Sequence, residues 1–272
     1  MANPALSDKA FERMVTAEQR AGWAAGTGTP TRDAGPLTPA PYDTMTVNGS
    51  ITATAVLLVL LCITGAIGWN LVEAIPLGNG QSAADVPGWI FAPLLGAIGL
   101  AIATIFRPQW ARFTAPLYAL VEGLVVGAIS KVYETYFDGI VLNAVMATVA
   151  VLGVMLFLHA TRIIKVTERF RTVVMCATGA IALVYLVNIV LRLFGSEVPF
   201  LHDTGTIGIL VSVAIVVVAA LNLSLDFDFI ERGVKAGAPK TTEWYAAFGL
   251  LITLVWLYLE LLRLLSKLQS RN

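Results

Sequence analysis

Residues 206–225 read TIGILVSVAIVVVAALNLSL, an apolar run without a single charged side chain. A helix of about 20 such residues crosses a hydrocarbon layer of about 30 Å. Six further apolar runs lie before and after it, at 51–72, 89–106, 115–130, 140–158, 173–194 and 244–265. None alternates apolar and polar residues with the period of two that is typical of a transmembrane β-strand. The sequence therefore predicts an all-α integral membrane protein, a bundle of seven transmembrane helices.

The composition of the whole chain agrees with this class. Of the 272 residues, 57% are hydrophobic and 13% are charged, against about 25% charged residues in an average soluble domain. Eighteen basic residues balance eighteen acidic ones, so no nucleic-acid partner is expected. Cys62, Cys176, His159 and His202 lack the spacing of a disulfide framework or a zinc site. The composition excludes a water-soluble globule, and no resident cofactor is expected.

The first 50 residues differ in kind from the rest. They hold five of the twelve prolines and nine charged residues, so they bury too little apolar surface to order themselves. We expect a flexible cytoplasmic tail at 1–50 and a seven-helix transmembrane domain at 51–272. No apolar segment with a cleavage site opens the sequence, so the first helix is expected to direct insertion.

The basic residues predict the orientation. With the N-terminus in the cytoplasm, the inner segments carry thirteen Lys and Arg residues and the outer loops two, as the positive-inside rule requires. Arg263, Lys267 and Arg271 break the pattern, because a full seventh span places them outside. A re-entrant last helix is the alternative, but the length of the run at 244–265 favours a full crossing.

Ionisable residues inside the spans are costly, so function is sought there first. Glu122 lies in the third run beside Gly123 and Gly127, small residues that allow a neighbouring helix to approach closely. Counted from residue 115, its carboxyl lies about 10 Å deep. It is either an ion-pathway carboxylate or a protonated side chain that donates a hydrogen bond to a carbonyl.

Two further groups of charged residues belong to the last two runs. Glu260 and Arg263 are three residues apart on one helix, a spacing that predicts an ion pair or a latch near the outer face. Arg107, at the inner end of the second run, is a further candidate for such a role. Asp226 and Asp228 end the sixth run two residues apart, so they project to nearly opposite sides and only one faces the interior.

The same region carries a resemblance to a known family. The string LDFDFI at 225–230 comes before a short basic loop, and the last run finishes LLRLL at 261–265. This order resembles the C-terminal signature of the Bax inhibitor-1 (transmembrane Bax inhibitor motif) superfamily. The third run, ALVEGLVVG at 119–127, is similar to the glycine-containing third span of that family, and the opening MANPAL with its long tail resembles the bacterial YccA-like branch. The resemblance covers about residues 50–270.

The resemblance implies seven helices around a central C-terminal helix in the bacterial plasma membrane and, in bacterial members, a pH-sensitive calcium leak. There, two aspartates, one ending the sixth helix and one within the seventh, share a proton as the gate. Two carboxylates in contact repel when both are ionised, so a change of protonation can move helices. Matching by residue places the first aspartate at Asp226, but Thr253, which cannot ionise, occupies the second position. We hypothesise that Glu122 supplies the second carboxylate, with the Thr253 hydroxyl as a hydrogen-bond partner.

These residues set the expected function and its alternative. Asp226 and Glu122 would hold calcium only in transit, because calcium takes six to eight oxygen ligands, and Asp228 is kept as a lesser pathway candidate. The expected partners are the lipid bilayer and calcium or protons. The alternative is a non-conducting regulator that binds a membrane-anchored protease or another membrane protein, which the resemblance also implies. The sequence contains no HExxH, GxSxG or P-loop motif, so an enzyme is not expected.

Overall fold

The computed structural model describes residues 44–76, 82–195 and 205–271. The described chain contains seven long helices, and each is long and apolar enough to cross a membrane when the short 3₁₀ turns before the second and third are included. They are α1 Val47–Asn70, α2 Phe91–Phe106, α3 Ala111–Tyr136, α4 Ile140–Ala160, α5 Glu168–Leu193, α6 Thr206–Lys235 and α7 Thr242–Gln269. The prediction of an all-α seven-helix membrane bundle is confirmed.

Short elements connect some of the helices. Between α1 and α2, β1 Glu73–Pro76 pairs antiparallel with β2 Ser82–Asp85, a hairpin that the apolar pattern did not predict. Two 3₁₀ turns, Gly88–Ile90 and Pro108–Trp110, lead into α2 and α3. Of the expected tail at 1–50, residues 1–43 lie outside the described ranges, and α1 already begins at Val47 because Thr46 caps it by accepting a hydrogen bond from the Gly49 N–H.

The last helix is central. α7 packs against α1, α3, α4 and α6, and its buried residues lie on every side of the helix. By contrast, α5 packs mainly on α6 and exposes most of its surface. α7 is continuous over its whole length, which favours the full crossing over the re-entrant alternative.

The close approach of α1 and α3 depends on glycine. A Cβ atom at Gly123 would overlap Thr64 and the Leu61 carbonyl of α1, and one at Gly127 would overlap the Gly65 backbone. The prediction that these two glycines form a tight seam is therefore confirmed, with α1 as the neighbouring helix.

Contacts between helix ends define the two ends of the bundle. Thr46 before α1 is hydrogen-bonded to Glu243 in the first turn of α7, and Arg171 in α5 pairs with Asp228 in the last third of α6. We call the end of the bundle that holds these two contacts the basic end. At the opposite end, the Lys267 ammonium of α7 donates to the Gly208 carbonyl in the first turn of α6. α7 therefore runs from one end of the bundle to the other.

Basic side chains gather at the end where α1 begins. The described residues on that side are Arg107, Arg112, Arg162, Lys165, Arg169, Arg171, Arg232, Lys235 and Lys240. This is the distribution from which the cytoplasmic orientation was predicted.

Candidate functional site

Asp226 lies deeper in the bundle than its expected place at the end of a helix. The sixth span was predicted to stop at residue 225, but α6 continues to Lys235 and ends where Gly237 adopts a positive φ of 62°. Pairs four residues apart, Asp228 with Arg232 and Glu231 with Lys235, support this added length. The prediction that Asp226 and Asp228 end the helix is wrong, because these pairs allow the helix to continue through the charged segment.

Because α6 is longer than predicted, Asp226 lies in the interior of the bundle. It lies nine residues before Lys235, or about 14 Å along the helix, and its exposed fraction is 1%. Leu223, Phe229 and Ile230 on the same side of α6 are also buried. A carboxyl group is thus buried within a membrane-spanning helix, a costly arrangement that marks candidate functional residues.

Glu122 and Thr253 lie at a similar level. Each is eleven residues from the start of its helix at the basic end, α3 for Glu122 and α7 for Thr253, or about 16 Å. The depth of about 10 Å predicted for Glu122 was too small, because α3 begins at Ala111 rather than at residue 115. The three side chains therefore share one layer of the bundle, since α3 and α6 both pack on α7.

The partners of these side chains differ. Thr253 is buried, and its hydroxyl donates to the Gly249 carbonyl one turn earlier at 3.2 Å. Glu122 is half-buried and forms no hydrogen bond or ion pair with any residue that the structure describes. One turn before it, the Tyr118 ring packs edge-on against Phe248 of α7, with ring centroids 5.1 Å apart. The carboxylate of Glu122 thus borders the α3–α7 contact.

Asp228 binds two arginine side chains, one of α5 and one of α6. Its Oδ2 accepts hydrogen bonds from Arg171 of α5 at 3.0 Å and from Arg232 of α6 at 2.9 Å. Its side chain is 17% exposed. This geometry makes Asp228 a link between α5 and α6, whereas Asp226 is enclosed in the core.

Glu260 and Arg263 form an ion pair, with Arg263 Nη1 3.1 Å from Glu260 Oε2. Tyr185 of α5 donates to Glu260 Oε1 at 2.6 Å and also accepts from Arg263. Trp256 Nε1 donates to the same carboxylate oxygen at 3.3 Å. The spacing in the sequence predicted the pair but not Tyr185, which ties the pair to α5.

Arg107 lies far from that pair, at the basic end, where it follows α2. It is exposed, and its guanidinium lies 5.8 Å from the centroid of the Trp110 ring. Within the described ranges it takes part in no ion pair. Arg107 is therefore too far from the Glu260–Arg263 pair to form a latch with it.

Two buried charged side chains join helices in a way that the sequence did not predict. Glu243 is 5% exposed and accepts from both the backbone N–H and the hydroxyl of Thr46. Lys267, taken only as a topology signal, is 4% exposed and donates to Gly208 and Ser212 of α6. The position of Glu243 in the first turn of α7 was the available signal, since acids are favoured at helix N-termini.

The layer of Asp226, Glu122 and Thr253 offers oxygen atoms to a cation or a proton. Among the residues that the structure describes, no three His, Cys, Asp or Glu side chains converge as they would around a bound metal ion. One or two carboxylates would fill only part of the coordination shell of a calcium ion.

Comparison with known proteins identifies the family of the chain. A family model described as Bax inhibitor 1 like matches residues 3–270. A search of curated proteins found no match. The family match spans all seven helices, the enclosed aspartate of α6 and the central α7. The chain therefore belongs to the Bax inhibitor 1 like family.

Proposed function

We propose that the protein is a pH-sensitive leak pathway for cations, with calcium as the transported ion, in a bacterial plasma membrane. The basic end and the N-terminus face the cytoplasm in this proposal. The observation that carries it is the enclosure of Asp226, which is 1% exposed at the level of Glu122 and Thr253. An acidic side chain at such depth is costly and marks ion and proton pathways in membrane proteins.

The proposed pathway uses the shared layer as a weak binding step. A calcium ion that enters from one side meets the carboxylates of Asp226 and Glu122 and exchanges part of its water shell for their oxygens. Because these ligands are few, the ion is released again, as conduction requires. A proton competes for the same oxygen atoms, so the rate of passage depends on pH.

Thr253 stands where the second aspartate of the resemblance is expected. Its hydroxyl is a hydrogen-bond donor to Gly249, so it contributes an oxygen but no charge. The proposal gives the second charge to Glu122 on α3, because α3, like the α6 helix of Asp226, packs on α7. Glu260 is left out of the pathway, because Arg263 and Tyr185 already occupy its oxygens.

The test is calcium flux into liposomes that contain Asp226→Asn or Glu122→Gln. We expect both variants to lower the flux and to flatten its pH dependence. Glu168→Gln is the matched control, since it removes an acid whose side chain is 85% exposed at the start of α5. Unchanged flux and pH profile in both pathway variants would refute the assignment.

A non-conducting regulator of a membrane-anchored protease or another membrane protein is the second candidate. A groove of about 360 Å³ between α5 and α6 favours it, because small residues along a membrane-facing groove allow a further helix to pack closely. The groove is lined by Ala177, Ala180 and Val184 of α5 and by Ala214, Ile215 and Val218 of α6. The partner would be a transmembrane helix, with the N-terminal tail as a second contact.

Deletion of residues 2–43 separates the two candidates. The deletion keeps the hydrogen bond from the Met45 N–H to the Ala238 carbonyl and the cap at Thr46. Loss of protease regulation in cells, with vesicle flux intact, would favour the regulator. Regulation that is unaffected by the deletion, with flux lost only in Asp226→Asn, would favour the leak.

A further inference from the structure

The connection between α2 and α3 presents an unusual surface at the basic end. Only residues 107–110 separate the two membrane-spanning helices, so the connection lies at the membrane boundary. The surface consists of Phe106, Arg107, Trp110, Arg112 and Phe113, all of them exposed. We call it the α2–α3 surface.

The aromatic residues of the α2–α3 surface are arranged for contact with lipid. Phe106, Trp110 and Phe113 are 68%, 55% and 70% exposed. Tryptophan is enriched where a membrane protein meets the headgroup layer, because its ring is apolar and its N–H is polar. Trp110 therefore suits the level of the lipid headgroups, and the two phenylalanine rings suit the adjoining apolar layer.

The two arginines add positive charge at the same level. No acidic side chain in the described parts of the chain forms an ion pair with Arg107 or Arg112. On the other side of the basic end, Arg171, Arg232 and Lys235 are each paired with an acid of α6. Within the described residues, the two arginines of the α2–α3 surface thus keep their charge available for a ligand.

The backbone beneath this surface is fixed. The Thr104 hydroxyl of α2 donates to the Thr114 hydroxyl of α3 at 2.7 Å, and the Trp110 N–H donates to the Arg107 carbonyl at 2.9 Å. Pro108 and Ala111 are buried, and the 3₁₀ turn Pro108–Trp110 packs on α7. The arginines are therefore carried by a preformed turn, which lowers the entropy lost on binding.

From these observations we propose that the α2–α3 surface binds the headgroup of an anionic phospholipid. The guanidinium groups of Arg107 and Arg112 donate hydrogen bonds to the phosphate, a geometry for which arginine is suited. The Trp110 ring holds Arg107 in place by a cation–π contact, while Phe106 and Phe113 contact the upper part of the acyl chains. This site is separate from the proposed ion pathway and stands or fails independently of it.

The test compares two double variants of the full chain in neutral detergent. Arg107→Gln/Arg112→Gln removes the proposed contacts, and Lys165→Gln/Arg169→Gln removes the same charge from the α4–α5 connection and the first turn of α5, at the same end. The probes are dioleoyl phosphatidylglycerol and dioleoyl phosphatidylcholine, with lipid binding measured by native mass spectrometry. Equal unfolding temperatures without added lipid check that both variants fold.

We expect the wild type and the Lys165/Arg169 variant to prefer phosphatidylglycerol. We expect the Arg107/Arg112 variant to bind it about 25-fold more weakly, since each of the two basic residues near a membrane surface contributes about fivefold. An equal loss in both double variants would show that net charge alone attracts the lipid and would overturn the proposal. So would a wild-type protein without preference, or an equal response to inorganic phosphate.

Discussion

The Glu243 carboxylate in the first turn of α7 binds Thr46, the residue that caps α1. Its Oε1 accepts the Thr46 N–H at 2.8 Å and the Thr46 hydroxyl at 2.9 Å. The same hydroxyl accepts the Gly49 N–H at 2.9 Å. The first and last helices are therefore joined at the basic end by one carboxylate, 197 residues away in sequence.

Replacement of Glu243 by alanine tests the importance of this link. The change removes the charged acceptor of the Thr46 N–H and hydroxyl, and hydrogen bonds to a charged group are among the stronger ones, so we expect a loss of about 1–3 kcal/mol in the free energy of unfolding. Thermal unfolding in detergent measures it. Glu168→Ala, which removes an exposed acid from the first turn of α5, is the control, and an equal effect of the two changes would contradict the assignment.

The glycine seam predicts a second pattern of stability. Gly127→Ala places a methyl group against the Gly65 backbone of α1, so we expect a loss of about 1–3 kcal/mol from overpacking. Gly99→Ala is the matched control, because nothing lies within 4 Å of a Cβ atom there. Thermal unfolding of the two variants should differ clearly. If Gly99→Ala is as harmful as Gly127→Ala, the seam does not limit the approach of α1 and α3.

The ion pair of α7 predicts a large cost when one partner is lost. Glu260 is 2% exposed, and Glu260→Gln leaves Arg263 and Tyr185 without their anion. We expect a loss of about 3 kcal/mol, the low end for a broken buried pair, because the Arg263 side chain remains 30% exposed. Chemical unfolding in mixed micelles measures the change. A loss below about 1 kcal/mol, as for surface pairs, would show that the pair is effectively solvated.

α5 is held against α6 by few contacts, so the loss of one contact should change the stability of α5 alone. Asp228→Asn weakens the charge-assisted hydrogen bonds to Arg171 and Arg232. We expect faster hydrogen exchange in the first turns of α5, with little change in α3, since local opening follows local contact density. Glu168→Gln, which removes only the exposed partner of Arg171, should leave the exchange of α5 nearly unchanged. Uniform exchange changes across all helices would contradict this account.

The fold was predictable to the extent that hydrophobicity determines it. All seven spans follow from apolar runs, but α3 extends four residues before and six residues after its predicted limits of 115 and 130. At the C-terminal end of α3, groups outside the helix satisfy two of the charged side chains. The Lys131 ammonium lies 5.0 Å from the centroid of the Trp69 ring, and Glu134 accepts the N–H groups of Gly139 and Val141. Such contacts are not visible from local composition.

The candidate site was predictable only in part, for a related reason. Asp226 stood out because it is an acid next to an apolar run, and the Glu260–Arg263 pair because three residues separate its members. Tyr185 completes that cluster from 75 residues away, and no periodicity indicates it. The depth of Glu122 depends on where α3 begins, and the depth of Asp226 depends on where α6 ends. Side-chain pairs support the added length of α6.

Calcium flux into vesicles that contain the wild-type protein, measured over a pH series, tests the central claim most directly. Potassium and proton indicators are followed in parallel, and protein-free vesicles give the background. The account predicts a calcium flux above background that changes with pH and that Asp226→Asn reduces. A calcium flux at background at every pH would contradict a leak and would favour the regulator.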